Sequence, residues 1–447
     1  MSDENNNDSP LWDEDTSHYN KEEKEYDVWN VVKQYELSSM TYKVKAKNIT
    51  FKSVNLTFSP EKSGYWVLEF KISNRVDILD STISASTIIF DDGIKLFNFD
   101  RDSSLIVSGR GNLLGEGYDR EMGSSYAGQG GSQLEHPKDL TYGRYDQTPE
   151  DSSKKNHEDQ MGSGGGTQLK RGGGVIVVKA ETGNFNGIMA ADGAPQTIKV
   201  SHEYHAGSGG YIYLNCTEKV WNITNEITAN GGSGSDDQKS NAGSGGRIVL
   251  DNFEENDDLI TAHGGCSNNE AISTYNGAAG TIYYTKSNRL LIKHTTKWLT
   301  SMNTIISPDQ TECIDILSVT KQASFTFKAD TKRQPLYINF TNAKIDGLST
   351  LASPIGIDDY EEITLNVSNF LNFTNSTIVN PSKNFIIMGK NITLGQGSTV
   401  RYHSTLEIHA TESLVLDGVI RQNDIIGSKA TGLKDSFVKI YWGNPLN

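Results

Sequence analysis

Short apolar bursts, each entered through a pair of small residues, set the rhythm of this chain. GGGVIVV at Gly172–Val178 is followed by GGYIYL at Gly209–Leu214, GGRIVL at Gly245–Leu250 and AGTIYY at Ala279–Tyr284. The residue after the small pair moves from Val175 to Tyr211, Arg247 and Thr281, a period of 34–36 residues. Inside the bursts Ile212 and Leu214, or Ile248 and Leu250, fall on alternate positions, which sends them to one face of a strand. A second segment follows each burst and closes on glycine: FNGIMAADG (Phe185–Gly193), NEITANGG (Asn225–Gly232) and LITAHGG (Leu259–Gly265). The pattern predicts two short strands per repeat with glycines at the corners. There their tolerance of positive φ suits tight turns, and their lack of a side chain suits close approach between coils. A short helix is expected only over Val28–Glu36.

The flanks follow the same grammar with less glycine. LYINFTNAKIDG (Leu336–Gly347), ITLNVSNFLNFTNSTIV (Ile363–Val379), FIIMGKNITLGQGSTV (Phe385–Val400) and LEIHATESLVLDGVI (Leu406–Ile420) recur every 20–25 residues. VDILDSTISA (Val76–Ala85) and SLIVSGRGNLLG (Ser104–Gly115) read as the same unit on the N-terminal side. Units that cannot bury a core alone must stack on their neighbours. The expected fold is therefore all-β: a right-handed parallel β-helix or β-solenoid with glycine-rich repeats. Its segments are an acidic extension (1–41), N-terminal coils (42–117), a polar insertion bulging from one coil (118–161), the glycine-rich solenoid (162–300) and C-terminal coils (301–447).

Composition narrows the classes. The 447 residues are only 35% hydrophobic, with 43 glycines and 10 prolines, which suits a narrow core better than a compact globule. The net charge of −15 argues against nucleic-acid or anionic-membrane partners, which require basic surface. Much of that charge lies in the first 27 residues, where ten carboxylates face only Lys21 and Lys24, a solvated tail or cap. Residues 1–20 lack a basic start and an apolar run, and no stretch reaches the length of a membrane span. Asn447 falls in a stretch without an obvious cap, as expected of an excerpt from a longer protein. Cys216, Cys266 and Cys313 have no metal-ligand spacing and read as small apolar fillers, with one disulfide plus a free thiol as the other arrangement.

The ordered series YAGQGG, YG, MGSGGG, GGGVIVV, AGSGGYIYL, ITANGG, AGSGGRIVL, HGG and NGAAGTIYY, over about Ser103–Tyr284, resembles a known type of sequence. It is similar to the glycine-rich repeat region of very large surface or secreted proteins of ciliates and related protists. A similar segment occurs in some large plant membrane-anchored proteins. The resemblance implies a β-solenoid in an extracellular or secretory-pathway setting, and it carries over no catalytic residue.

N-glycosylation is the modification the residues point to. Sequons stand at Asn7, Asn48, Asn55, Asn215, Asn222, Asn339, Asn366, Asn372, Asn375 and Asn391, most of them within or beside expected strands. An outward asparagine there can carry a sugar, whereas an inward one can stack into an amide ladder. GGSGSDDQK (Gly231–Lys239) fits the start of a calcium-binding nonapeptide but occurs once, and no metal site is assigned. The acidic runs Glu254–Asp258 and Asp358–Glu362 read as solvated turns. Arg247, Asp251, His263 and Asp192 fall near corresponding turns, where a carbohydrate-active β-helix would place acid–base groups, but no catalytic residue is assigned. Tyr211, Tyr213, Tyr283 and Tyr284 are candidates for a sugar-binding stripe or for packing. The glycine patterns near 109–115 and 162–174 lack the strand–turn–helix context of nucleotide binding, and no cofactor is expected. Two readings follow: a structural surface or matrix glycoprotein that self-associates as a filament, coat subunit or adhesin, and a carbohydrate-binding or carbohydrate-active β-helix.

Overall fold

The apolar bursts become rungs. In a computed structural model of the chain, Tyr211–Asn215 pairs in parallel with Val175–Lys179 on one side and with Arg247–Asp251 on the other. Arg247–Leu250 pairs in turn with Thr281–Tyr284, so the residues aligned by sequence repeat are aligned by hydrogen bonds. The segment after each burst supplies the second strand: Ile188–Ala190, Ile227–Thr228 and Ile260–Thr261 pair in parallel with one another. The structure describes residues 25–28 and 40–442, leaving out 59–63, 120–121, 133–139, 153–156, 158, 166–169, 197–204, 235–239, 268–274, 296–299, 301, 307–313, 328–335, 346–348, 352–361, 380–383 and 423–436. Most of the expected helix at Val28–Glu36 lies outside them, and Val28 itself ends the strand Glu25–Val28.

The result is an all-β parallel β-helix. One sheet of fifteen strands runs the whole length, and two six-stranded sheets close the coils, one for each half of the chain. Outside the glycine-rich block the long strands, such as Trp66–Leu79 and Glu362–Phe373, each contain a register shift that bends them around the coil. The N-terminal core is filled by Ile176, Val178, Ile212, Leu214, Ile248 and Leu250 from the long sheet, facing Met189, Ile227 and Ile260.

The glycines do something other than turn corners. Among the described residues, no glycine between Gly162 and Gly280 has a positive φ; those that do are Gly93, Gly109, Gly115, Gly143 and Gly397. The repeat glycines instead allow backbones to touch. A β-carbon on Gly207 would stand 2.2 Å from the Arg171 carbonyl oxygen, on Gly243 2.0 Å from that of Gly207, and on Gly277 2.0 Å from that of Gly243. Along His205–Gly210 the amide donors point in a cycle of three. His205 and Ser208 donate to Gly165 and Ser163, Ala206 and Gly209 to Asn241 and Ser244, and Gly207 and Gly210 to Ala194 and Ala191. The equivalent segment Ala242–Gly246 repeats the cycle, donating to Tyr275 and Ala278, to Gly232 and Ala229, and through Ser244 to Ser124. Three residues per turn without internal hydrogen bonds is the geometry of extended polyproline-type helices, and only glycine fits where such helices pack this closely. The AGSGG segments therefore form a glycine lattice, bonded in three directions, between the strands of one coil and the next.

The two halves of the long sheet run in opposite directions. Thr281–Tyr284 turns through Thr285–Asn288 into Arg289–Lys293, its antiparallel partner, and every later neighbour in that sheet is parallel again. Leu290 and Ile292, which continue into the C-terminal core with Leu317 and Val319, lie on the face of Tyr283 and Val249. Ile282 and Leu250 point the other way, into the N-terminal core. Reversing strand direction while switching faces amounts to a half-turn about the stacking axis, so both halves keep the same crossover hand.

An ion-pair clamp holds this reversal. Arg289 makes paired bonds to Asp257 (3.0 and 2.7 Å) and one to Glu255 (2.6 Å), and its Nε donates to the Ser318 hydroxyl. The Tyr284 hydroxyl also donates to Asp257, and Lys286 pairs with Glu254. The Glu254–Asp258 run is the solvated turn expected, with Glu254, Glu255 and Asp258 exposed, and it also supplies the acidic half of the clamp; Asp358–Glu362 lies outside the described residues but for Glu362.

Two stability predictions follow from these contacts. Gly243→Ala should cost about 3 kcal/mol or more, because a carbonyl oxygen of the next coil occupies the added carbon's place. Gly93→Ala, with nothing within 4 Å and only its φ of +86° to accommodate, should cost about 1 kcal/mol. Equal losses in equilibrium denaturation would contradict the lattice. Arg289→Ala should cost about 1–2 kcal/mol through the lost bonds to Asp257, Glu255 and Ser318, since the two carboxylates are partly hydrated; a loss within experimental error in the same assay would show that the clamp is dispensable.

Candidate functional site

The polar insertion does not bulge away from its coil. Its described residues lie on the outer face of the glycine-rich half, where Val175, Val177, Tyr211, Tyr213, Val249 and Tyr283 meet Tyr126, Tyr145 and Met161. Few as they are, these apolar side chains match a sheet face that is apolar on alternate positions. The backbone locks it in place: Ala278 and Ser244 donate to Gln129 and Ser124, Gly131 donates to Ala242, and Gln129 donates to Asn303 of the C-terminal half. The insertion thereby joins both halves across the reversal.

Arg247 is the charged centre of this contact. Its guanidinium donates to the carbonyls of Tyr142 (2.6 Å) and Gly143 (3.0 Å) and lies 5.1 Å above the Tyr126 ring. Burial lowers its pKa, and burial likewise raises those of the Tyr126, Tyr142 and Tyr211 hydroxyls. Tyr211 donates to the Gln147 carbonyl at 2.5 Å. The stripe Tyr211, Tyr213, Tyr283 and Tyr284 is therefore not open to sugar: all four are at most 6% exposed, as packing under the insertion and in the N-terminal core requires.

The four polar residues near corresponding turns do not converge. Arg247 lies under the insertion. Asp251 accepts from Tyr213 and Thr285 and binds the Asn215 amide. Asp192 accepts from the Thr228 hydroxyl and the Asn230 amide, while burial raises its carboxyl pKa. His263 donates to the Lys293 carbonyl and lies 6.2 Å from the ring of His294. Among the described residues no three His, Cys, Asp or Glu side chains cluster to hold a metal ion. The carboxylates of the calcium candidate, Asp236 and Asp237, lie outside the described residues. Cys216 is a buried free thiol and Cys266 a half-buried one, while Cys313 is outside the described residues.

The sequon asparagines fall into distinct environments. Asn55, Asn339 and Asn375 are exposed, and the Thr57 hydroxyl donates to the Asn55 side-chain oxygen. Asn48 accepts from Asn74, Asn215 is bound to Asp251, and Asn391 joins Glu412 and Ser413. Asn372 is half-buried with its side-chain oxygen enclosed. Asn222 lies in the strand Tyr211–Ile223, with its side chain outside the described residues, as is all of Asn7. Amide ladders do form, but on the outer face rather than inside: Asn366 donates to Asn339 at 3.1 Å and Asn369 to Asn342 at 2.8 Å.

On that outer face an open dent of about 200 Å³ lies over the C-terminal coils. Gly389 and Ala410, paired across adjacent strands, form its small floor. Met388, His409 and Tyr441 stand along one side, with Asn366, Ser368, Lys390 and Thr411 as polar rim. The His409 and Tyr441 rings stack at 4.3 Å, 12° from parallel. His409 also contacts Glu407, whose carboxyl pKa is lowered by Lys439 and His409. The sequence reading missed this dent because its residues come from four rungs far apart in the chain. The only signal is the position they share in successive repeats.

These elements define an elongated parallel β-helix with a strapped reversal and an outer dent of mainly apolar lining. No family model, curated protein or solved structure matches the chain.

A half-buried and a fully buried imidazole, His263 and His294, make the glycine-rich half acid-sensitive. His294 lies against the lattice, its Nε2 donating to the Gly277 carbonyl and its Nδ1 accepting from Thr295. Burial, reinforced by His294, Lys293 and Lys321, pushes His263 from 6.5 down to about 4, and burial lowers His294 as well. The unfolded chain takes up both protons near 6.5, whereas the folded chain takes up that of His263 only near 4 and holds that of His294 below its ordinary value as well. Stability is therefore full above that window and is lost as pH falls through it. Urea midpoints should drop between pH 7 and 4, and the drop should be smaller in a His263→Gln, His294→Gln double variant. An unchanged slope in that variant would assign the acid sensitivity to other groups.

Proposed function

We propose that this chain is a structural rod of a cell surface or extracellular matrix, an N-glycosylated filament or coat subunit or adhesin. The observation that carries the reading is a continuous sheet of fifteen strands, roughly 70 Å along the stacking axis, whose outermost described coil leaves apolar side chains exposed. Val415, Leu416, Val419, Val438 and Ile440 are each more than a third exposed among the described residues. Such apolar surface at the outermost described coil favours end-on addition of a second copy, which would bury it. Exposed sequons at Asn55, Asn339 and Asn375 suit a protein made in the secretory pathway.

Electron microscopy of the protein from its native source, with glycosidase-shift mass spectrometry on the same sample, tests the reading. Rods joined end to end and bearing N-glycans are the expected result. Isolated monomers without glycans would overturn it and turn attention to the outer dent as a site for free saccharide.

A further inference from the structure

We infer that an N-linked glycan on Asn366 lies in the outer dent, its first sugars packed on Met388 and the His409–Tyr441 stack. The inference rests on the secreted-glycoprotein reading and adds where one glycan goes. Asn366 and Ser368, first and third residues of a single sequon, both line the dent, so a glycan attached there starts at its edge. Asn366 is in register with Met388, Met388 with His409, and His409 with Tyr441. With rungs about 4.8 Å apart, these side chains continue in one line for roughly 15 Å beyond the attachment point. That line begins with an apolar thioether and ends in two stacked rings, a surface suited to the C–H faces of pyranose rings. Lys390 and Thr411, on the opposite rim, offer hydrogen-bond partners to sugar hydroxyls.

Asn339 sets the direction. It sits one rung below Asn366, and its side-chain oxygen accepts from the Asn366 amide nitrogen. A glycosylated amide keeps one N–H. With that hydrogen directed at Asn339, the sugar takes the remaining direction, away from Asn339. Asn55 offers a contrast, since it is exposed on a short strand of the other half and is not part of the dent.

The test is to express the chain in a glycosylating secretory host and follow endoglycosidase release at each site by glycopeptide mass spectrometry, on folded and denatured protein. In the folded protein, release at Asn366 should be at least ten-fold slower than at Asn55, and denaturation should abolish the difference. Tyr441→Ala, and separately Thr411→Trp to fill the dent without touching the core, should each speed release at Asn366 and leave Asn55 unchanged. Equal release from the folded wild-type protein, or a bare Asn366 beside an occupied Asn55, would overturn this inference alone. A chain without glycan at any sequon would overturn the glycoprotein reading beneath it.

Discussion

A carbonyl oxygen about two ångströms from where a β-carbon would stand is the constraint on which this molecule is built. It recurs from Gly207 to Gly243 to Gly277, coil after coil, and it excludes every residue but glycine. The contact in turn lets each amide of these segments find a partner in one of three neighbours, so a wall without side-chain packing still satisfies its backbone. A conventional strand could not do this, since its hydrogen bonds lie in one plane. The lattice fixes the spacing of the coils, and the apolar rungs then fill what is left between the sheets.

Above that lattice the architecture is decided at one turn. Thr285–Asn288 reverses the strand direction and transfers the core to the other face of the long sheet. The face so exposed in the first half is the one the insertion covers, with Arg247 facing carbonyls and a ring rather than a carboxylate. The clamp around Arg289 and the insertion act on opposite sides of the same junction.

Much of this was legible in the chain. The spacing of Val175, Tyr211, Arg247 and Thr281 predicts the register that their hydrogen bonds show, because a solenoid repeats its sequence where it repeats its shape. The alternation of Ile212 and Leu214 suggests strands buried on one face, whereas both faces are buried; VIVV and YIYL, apolar at successive positions as strands covered on both sides are, carry the missed signal. What covers the second face was not legible: Tyr126, Tyr145 and Met161 are isolated within a polar stretch, and contact with the sheet is a long-range matter. Glycine pairs read equally well as corners or as close contacts, and only the three-way direction of the amides separates the two. Likewise the dent depends on Asn366, Met388, His409 and Tyr441 sharing a column, although the last two stand much further apart in the chain than the recurring spacing of the flanks.

The reversal has a mechanical meaning. Strands in a β-helix lie across the rod, so tension along its axis pulls directly on the hydrogen bonds between rungs. At the junction the sheet itself offers only Ile282–Tyr284 against Arg289–Leu291. The insertion, bonded to Ala242, Ser244 and Ala278 on one side and to Asn303 on the other, runs parallel to that short seam and takes part of the pull. Stretched from its ends, the rod should part first among the ordinary coils rather than where its direction changes.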